Sequence, residues 1–193
     1  MNNQAVTYKI QGNIGIIKGS NPPVNALSYD VRKGLIDILN LFLNNKDIEG
    51  IILSGEGRTF FAGADISEFG KPMMSPNLNE VIFEFEKSKK PIVAALHGTP
   101  LGGGLELAMG CHYRVASKKT MLGLPEVKLG IIPGAGGTQR LPKLVGVEKA
   151  LKMIISSSPI GAEEALKHGL VNEIYDDELL GNAISFLHKK INS

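Results

Sequence analysis

The stretch "LHGTPLGGGLELA" (96–108) follows the apolar run "PIVAALHG" (91–98) and carries three consecutive glycines into a leucine and a glutamate. A buried-type strand that runs into glycine and then into a helical pattern reads as a strand-to-helix turn, with the helix spanning about Gly103 to Gly110. The same order recurs upstream, where "GIILSG" (50–55) reads as a buried strand and "LNEVIFEFEKSK" (78–89) as a helix. Fully apolar strands alternating with helices imply parallel crossovers, and hence the α/β class.

Outward from this centre the pattern continues in both directions. "VTYKI" (6–10) and "IGIIK" (14–18), separated by the turn-forming "QGN", form a hairpin, so the chain begins antiparallel. After "NPPVN", Ser28 is placed to cap a helix whose Val31, Leu35, Ile38 and Phe42 share one face, running to about Asn45. Downstream, "YRVAS" and "GLVNEIY" read as strands, with helices near 137–145, 147–155, 162–168 and 177–190. Gly169 reads as a helix stop. No repeat or linker divides the 193 residues, so one domain over 1–193 is expected. "GKPMMSPN" (70–77) is the least regular stretch, a surface loop suited to act as a lid, with Met73 and Met74 as adaptable apolar residues.

Composition excludes several function classes. Twenty-one basic and 19 acidic residues leave a net charge of +2, and aromatics are 6% of the chain, which argues against a nucleic-acid binder. The single cysteine, Cys111, forms no internal disulfide and points to a reduced compartment. No apolar run reaches the roughly 18–20 residues that span a bilayer. The polar start "MNNQAVTYK" lacks a signal-peptide core, and "INS" is not the peroxisomal tripeptide. "GAGGTQ" fails the dinucleotide fingerprint because Gln139 stands where the last glycine belongs. There is no phosphate loop, no zinc-protease helix and no nucleophile elbow. His97, His112, His168 and His188 show no ligand spacing, so they read as packing residues and no metal is expected.

Two places then stand out. At "FFAGADISEF" (60–69) and at 96–108, small residues leave backbone N–H groups free to converge on a developing negative oxygen. Either cluster alone is explained as a tight turn or close helix packing; two of one design weigh toward a site. Two carboxylates accompany them. Glu106 lies near the start of the glycine-opened helix, among residues with no other charge, and a buried carboxylate there needs a partner or a task. Glu126, in "LGLPEVKLGIIPGAGG", has Lys128 as its charged neighbour in sequence. Such a pair across a cavity divides acid and base roles. Arg140 in "GGTQRLP" reads as an ion-pair partner or a phosphate contact.

These blocks, with "NPPVNALS", "LGLPEVKLGIIPGAGGTQRLPKLVG" and "ISSSPIGAEEALKHGLVNEI", resemble the crotonase, or enoyl-CoA hydratase/isomerase, superfamily along essentially the whole chain. The resemblance implies an α/β fold, a crotonase-like spiral of ββα units, here lacking most of the C-terminal helical subdomain that completes the acyl pocket and mediates trimer contacts. It implies that the N–H groups of Ala64 and Gly103 hold the thioester carbonyl of an acyl-CoA. It further implies that Glu106 helps activate the water adding at C3, that Glu126 protonates C2, and that Gly134 helps position the water or Glu126. Ala62, Gly63, Asp65 and Ile66 would contact the CoA moiety.

CoA enters as part of the substrate, and no further cofactor is implied. Within the superfamily the sequence is most similar to the N-terminal hydratase part of bifunctional proteins that also carry a 3-hydroxyacyl-CoA dehydrogenase, which implies a covalently fused partner and allows a homo-oligomer. The location implied is cytoplasmic in a bacterium, or peroxisomal or mitochondrial in a eukaryote. Δ3–Δ2 isomerisation and non-catalytic acyl-CoA binding are the competing functions; membrane and nucleic-acid partners are not expected.

Overall fold

The computed structural model describes residues 5–193; positions 1–4 of the polar start lie outside the described residues. β1 (Val6–Gln11) and β2 (Ile14–Gly19) form the expected antiparallel hairpin, with Val6 opposite Gly19 and Gln11 opposite Ile14. β1 is exposed after Val6 while β2 is buried almost throughout, which distinguishes an edge strand from an interior one.

α1 (Tyr29–Asn44) then leads to β3 (Gly50–Gly55), α2 (Leu78–Glu86) to β4 (Ile92–Leu96), and α3 (Gly103–Gly110) to β5 (Tyr113–Ser117). β6 (Met121–Leu122), α4 (Gly137–Val145), α5 (Val147–Ser156), β7 (Ile160–Gly161), α6 (Ala162–Lys167), β8 (Glu173–Tyr175) and α7 (Leu179–Ile191) complete the order. The main sheet has six strands in the order β1-β2-β3-β4-β5-β8, and every pairing from β2 onward is parallel. β6 and β7 make a separate two-stranded sheet.

Because helices cover both faces, the interior strands are apolar on both sides. Ile52, Val93 and Val115 face α7, where they pack with Ile184, Phe186 and Leu187. Ile51, Leu53, Ala94 and Leu96 turn to the other face, into the larger core with Leu35, Phe42, Phe85 and Leu105. α3 is buried along its entire length, so its even apolarity reflects a helix enclosed on all sides. The buried Arg114 closes its far end, donating to the carbonyls of Cys111 (2.8 Å) and Leu170 (2.8 Å).

The structure departs from expectation at several boundaries. Ser28 occupies the N-cap position of α1 but its side chain makes no capping bond; the Tyr29 N–H donates instead to Glu68 Oε1 at 2.7 Å. α2 stops at Glu86 rather than near residue 89, because Ser88 Oγ bonds the Lys90 carbonyl and amide and Pro91 follows. β6 and β7 are two residues each, too short to leave a periodic signal. Two 3-10 turns, Ile66–Glu68 and Glu126–Leu129, are likewise too short to leave a periodic signal.

Candidate active site

Each of the three glycines at the head of α3 answers a different steric demand. Gly102 adopts φ +52 and ψ −128, a region closed to side-chain-bearing residues, and a Cβ there would stand 3.0 Å from Glu126 Oε1. At Gly104 a Cβ would lie 1.8 Å from the Phe61 carbonyl oxygen, so the helix presses directly on the 60–63 backbone. At Gly103 it would meet Leu78 Cδ2 at 2.7 Å and the Ala64 nitrogen at 3.2 Å. The backbone of Gly103 therefore sits beside the Ala64 amide with nothing between them.

Gly103 opens the helix, so its N–H has no acceptor within it. Ala64 is fixed from the other side: the carbonyl of Gly63 accepts the Leu27 N–H at 2.8 Å, forming a bridge between Leu27 and Ala64. Ala64 and Gly103 line one cavity of about 310 Å³ together with Glu106, Glu126 and Gly134.

Glu106 is 2% exposed, and its Oε1 accepts two main-chain N–H groups, from Ala135 at 2.9 Å and Gly137 at 2.8 Å. Burial raises its pKa, while those two bonds and the Arg140 charge oppose the rise without cancelling it. Glu126 lacks that support. Burial pushes its pKa up to about 7, with the nearby Glu106 charge adding to the rise and its own main-chain amide opposing. Among the described residues its buried Oε2 has no hydrogen-bond partner. The charge that acts on Glu126 is thus Glu106, across the cavity, and not Lys128, its neighbour in sequence.

Two carboxyl groups in one cavity therefore differ in character. Glu106 is braced by amides that favour its anion, and Glu126 is a neutral carboxylic acid through the lower part of the physiological range.

Of the remaining expected site residues, Ala62, Gly63 and Ile66 line the same cavity, but Asp65 does not. Asp65 caps the first 3-10 turn, accepting the Ser67 N–H at 2.9 Å, and borders an adjoining cavity of about 850 Å³. The two cavities share Phe69, Met73, Asn77 and Leu78, so the 70–77 loop walls both. Gly134 lines the first, its carbonyl accepting from Asn79 Nδ2 at 3.2 Å.

The four histidines hold structural positions or the surface; His112 Nδ1, for example, accepts the Ile92 N–H at 3.1 Å. Cys111 is fully enclosed and its thiol is pushed up to about 12. Among the described residues no cluster of three His, Cys, Asp or Glu side chains is arranged for a metal, and no helix is long and apolar enough to cross a membrane.

The amides of Ala135 and Gly137 are functional groups that the sequence reading misses, because "GAGG" fits no nucleotide fingerprint and main-chain donors leave no side-chain signature. The signal was the solitary Glu106 in an apolar helix, since a buried anion needs donors and a glycine-rich turn supplies them.

The family model described as Enoyl-CoA hydratase/isomerase matches residues 9–193. A protein of Danio rerio named peroxisomal bifunctional enzyme is 42% identical over 182 residues, covering 94% of this chain and 25% of that protein. One from Cucumis sativus, named glyoxysomal fatty acid beta-oxidation multifunctional protein MFP-a, is 46% identical over 178 residues, again across 25% of its length. The chain thus spans about a quarter of these multifunctional relatives. A probable enoyl-CoA hydratase of Bacillus subtilis (strain 168) is 44% identical over 181 residues and is covered to 70%. Among solved structures, an enoyl-CoA hydratase from Thermoplasma volcanium GSS1 superposes with a TM-score of 0.91 at 32% identity, over 100% of this chain and 80% of that one. With the family model matching residues 9–193 and the fold shared over the whole chain, the chain belongs to the enoyl-CoA hydratase/isomerase family.

Proposed function

We propose that the chain hydrates trans-2-enoyl-CoA thioesters to 3-hydroxyacyl-CoA, with the thioester carbonyl oxygen held by the N–H groups of Ala64 and Gly103. The observation that carries this reading is that two buried, unequal carboxyl groups line one cavity together with Ala64 and Gly103, the residues whose main-chain N–H groups would hold the carbonyl. Glu106, braced as an anion, accepts a proton from water as its oxygen bonds to C3. The electron pair of the double bond moves toward the thioester oxygen, where the two N–H groups stabilise the enolate by about 3 kcal/mol each. Glu126, in its protonated form, delivers the proton to C2 as the enolate collapses. Water has then added across the double bond, and the two carboxyl groups exchange protons with solvent to reset. The step consumes only water and thioester.

Gly134, on the same wall, would orient the water or Glu126. Ala62, Gly63 and Ile66 would contact the CoA portion, with Asp65 acting through the turn it caps. The plant relative's name supports a role in fatty-acid β-oxidation, and the plant and animal names together support a fused second part, for which a 3-hydroxyacyl-CoA dehydrogenase is the reading that fits the product.

Loss of enoyl-thioester absorbance with crotonyl-CoA and a longer trans-2-enoyl-CoA tests the proposal. Hydration should fall by about 10²–10⁴-fold in each of Glu106→Gln and Glu126→Gln, with the fold intact by circular dichroism. Conversion of a trans-3-enoyl-CoA without hydration would make the chain an isomerase. Acyl-CoA binding with no turnover would make it a binding module.

A further inference from the structure

Glu106 owes its environment to a turn, and that turn is itself held by one side chain. The guanidinium of Arg140 is gripped on two edges: Nε and Nη2 donate to the carboxylate of Glu86 at 3.2 and 2.7 Å, and Nη1 donates to the carbonyl of Ala135 at 3.0 Å. Glu86 is the last residue of α2 and Arg140 lies in α4, so the fork ties two helices to the loop between them and the cavity. Asn79 adds a second tether from α2 through the Gly134 carbonyl.

The loop is shaped around the fork. Gly136 has φ +88, and a Cβ there would stand 2.1 Å from Arg140 Nη1, so the chain curls over the guanidinium only because the residue is glycine. On the opposite side of the same three-residue turn, the Ala135 and Gly137 amides meet at Glu106 Oε1, and a Cβ at Gly137 would be 2.8 Å from that oxygen.

We propose that Arg140 is a positioning residue for Glu106: locked to Glu86, its guanidinium holds the 135–137 turn so that two amides converge on one carboxylate oxygen. This rests on the reading of Glu106 as the water-activating base. The other charges around Glu106 are accounted for. Glu126 faces it from the 3-10 turn after β6, and Glu86 on α2 stands behind Arg140 with Lys143 of α4 beyond. Arg114, on β5, is committed to carbonyls at the far end of α3. Arg140 is the cation whose field reaches the carboxylate, and it opposes the burial that raises the Glu106 pKa.

The experiment titrates the Glu106 carboxyl carbon by ¹³C NMR in glutamate-labelled protein, assigned by its loss in Glu106→Gln, so the readout does not depend on turnover. In Arg140→Gln the midpoint should rise by roughly half a pH unit or more, since an anion loses both a nearby cation and well-held donors. The acidic limb of kcat/KM for crotonyl-CoA hydration should move up in parallel. A folded Arg140→Gln protein with an unmoved midpoint overturns the proposal.

Arg140→Lys keeps the charge without the fork, and there the amide protons of Ala135 and Gly137 should shift upfield as their bonds to Glu106 lengthen. If those resonances stay in place, the turn does not depend on the fork and the proposal is lost, even should Arg140→Gln fail to fold. A wild-type chain that hydrates nothing would sink the hydratase reading alone, because the titration and the amide shifts would still decide the role of Arg140.

Discussion

At Glu126, burial sets the protonation state and the protonation state sets the stability. A carboxyl that titrates near 7 in the folded chain and in the ordinary carboxylate range when unfolded holds its proton longer in the folded state. Between those two values the folded state binds more protons, so stability falls as pH rises through the window and the loss is complete above about 7. Glu126→Gln removes the ionisation and should unfold about 2–4 °C higher than the unmutated chain at pH 8, with little difference at pH 4. Thermal melts at the two pH values check this; an equal difference at both would mean that burial of Glu126 costs nothing that ionisation explains. The same site that loses activity would thus gain stability, as expected where a fold retains an uncomfortable group for its chemistry.

Among the elements, the stretch from β3 to α2 depends on one buried cation. Arg32 in α1 donates to Leu27 O at 2.7 Å, Glu68 Oε2 at 2.8 Å and Pro76 O at 2.8 Å, so it grips both ends of the 69–76 segment that walls the two cavities. Glu68 in turn caps α1 through the Tyr29 N–H. Arg32→Met would leave Glu68 without its cation and two carbonyls without a donor, and should destabilise the chain by about 2–4 kcal/mol. Because the loop that walls the two cavities is released while α3 is untouched, KM for a long enoyl-CoA should rise more than kcat falls; equal losses in both would show that Arg32 reaches the reacting groups.

None of this was legible in the sequence, where Arg32 is one charged residue inside a helical pattern and Glu68 one acid near a turn. The helices and interior strands were legible because their periods of hydrophobicity are long enough to read, and α3 came out with the expected bounds. Glu106 and Glu126 stood out by isolation in apolar surroundings. What could not be read was how residues distant in sequence are joined: Glu86 to Arg140, Arg32 to Pro76, and Glu106 to the 135–137 turn. Those bonds depend on how the elements pack, which no local pattern encodes.

For the whole molecule, the sheet separates two cores with different duties. The site rests on one face, where Leu105 of α3 joins Phe60, Phe61 and Leu124 in the larger core. The other face is closed by α7, whose Leu187 is fully buried over Ile14, Ile16 and Ile52; a Cβ at Gly50 would lie 2.9 Å from Leu187 Cδ2. Truncating a buried leucine on either face should cost about 2–5 kcal/mol through lost burial and the cavity left behind. The functional consequences should differ. Leu187→Ala lowers the melting temperature while KM and the pH profile of hydration stay at their unmutated values, because interior packing relaxes locally and the strands lie between α7 and the cavity. Leu105→Ala disturbs the turn of helix that carries Gly103 and Glu106, so it lowers kcat along with stability. If Leu187→Ala also shifted the pH profile, the sheet would be transmitting strain from α7 to the two glutamates, and the site could no longer be regarded as built on one face alone.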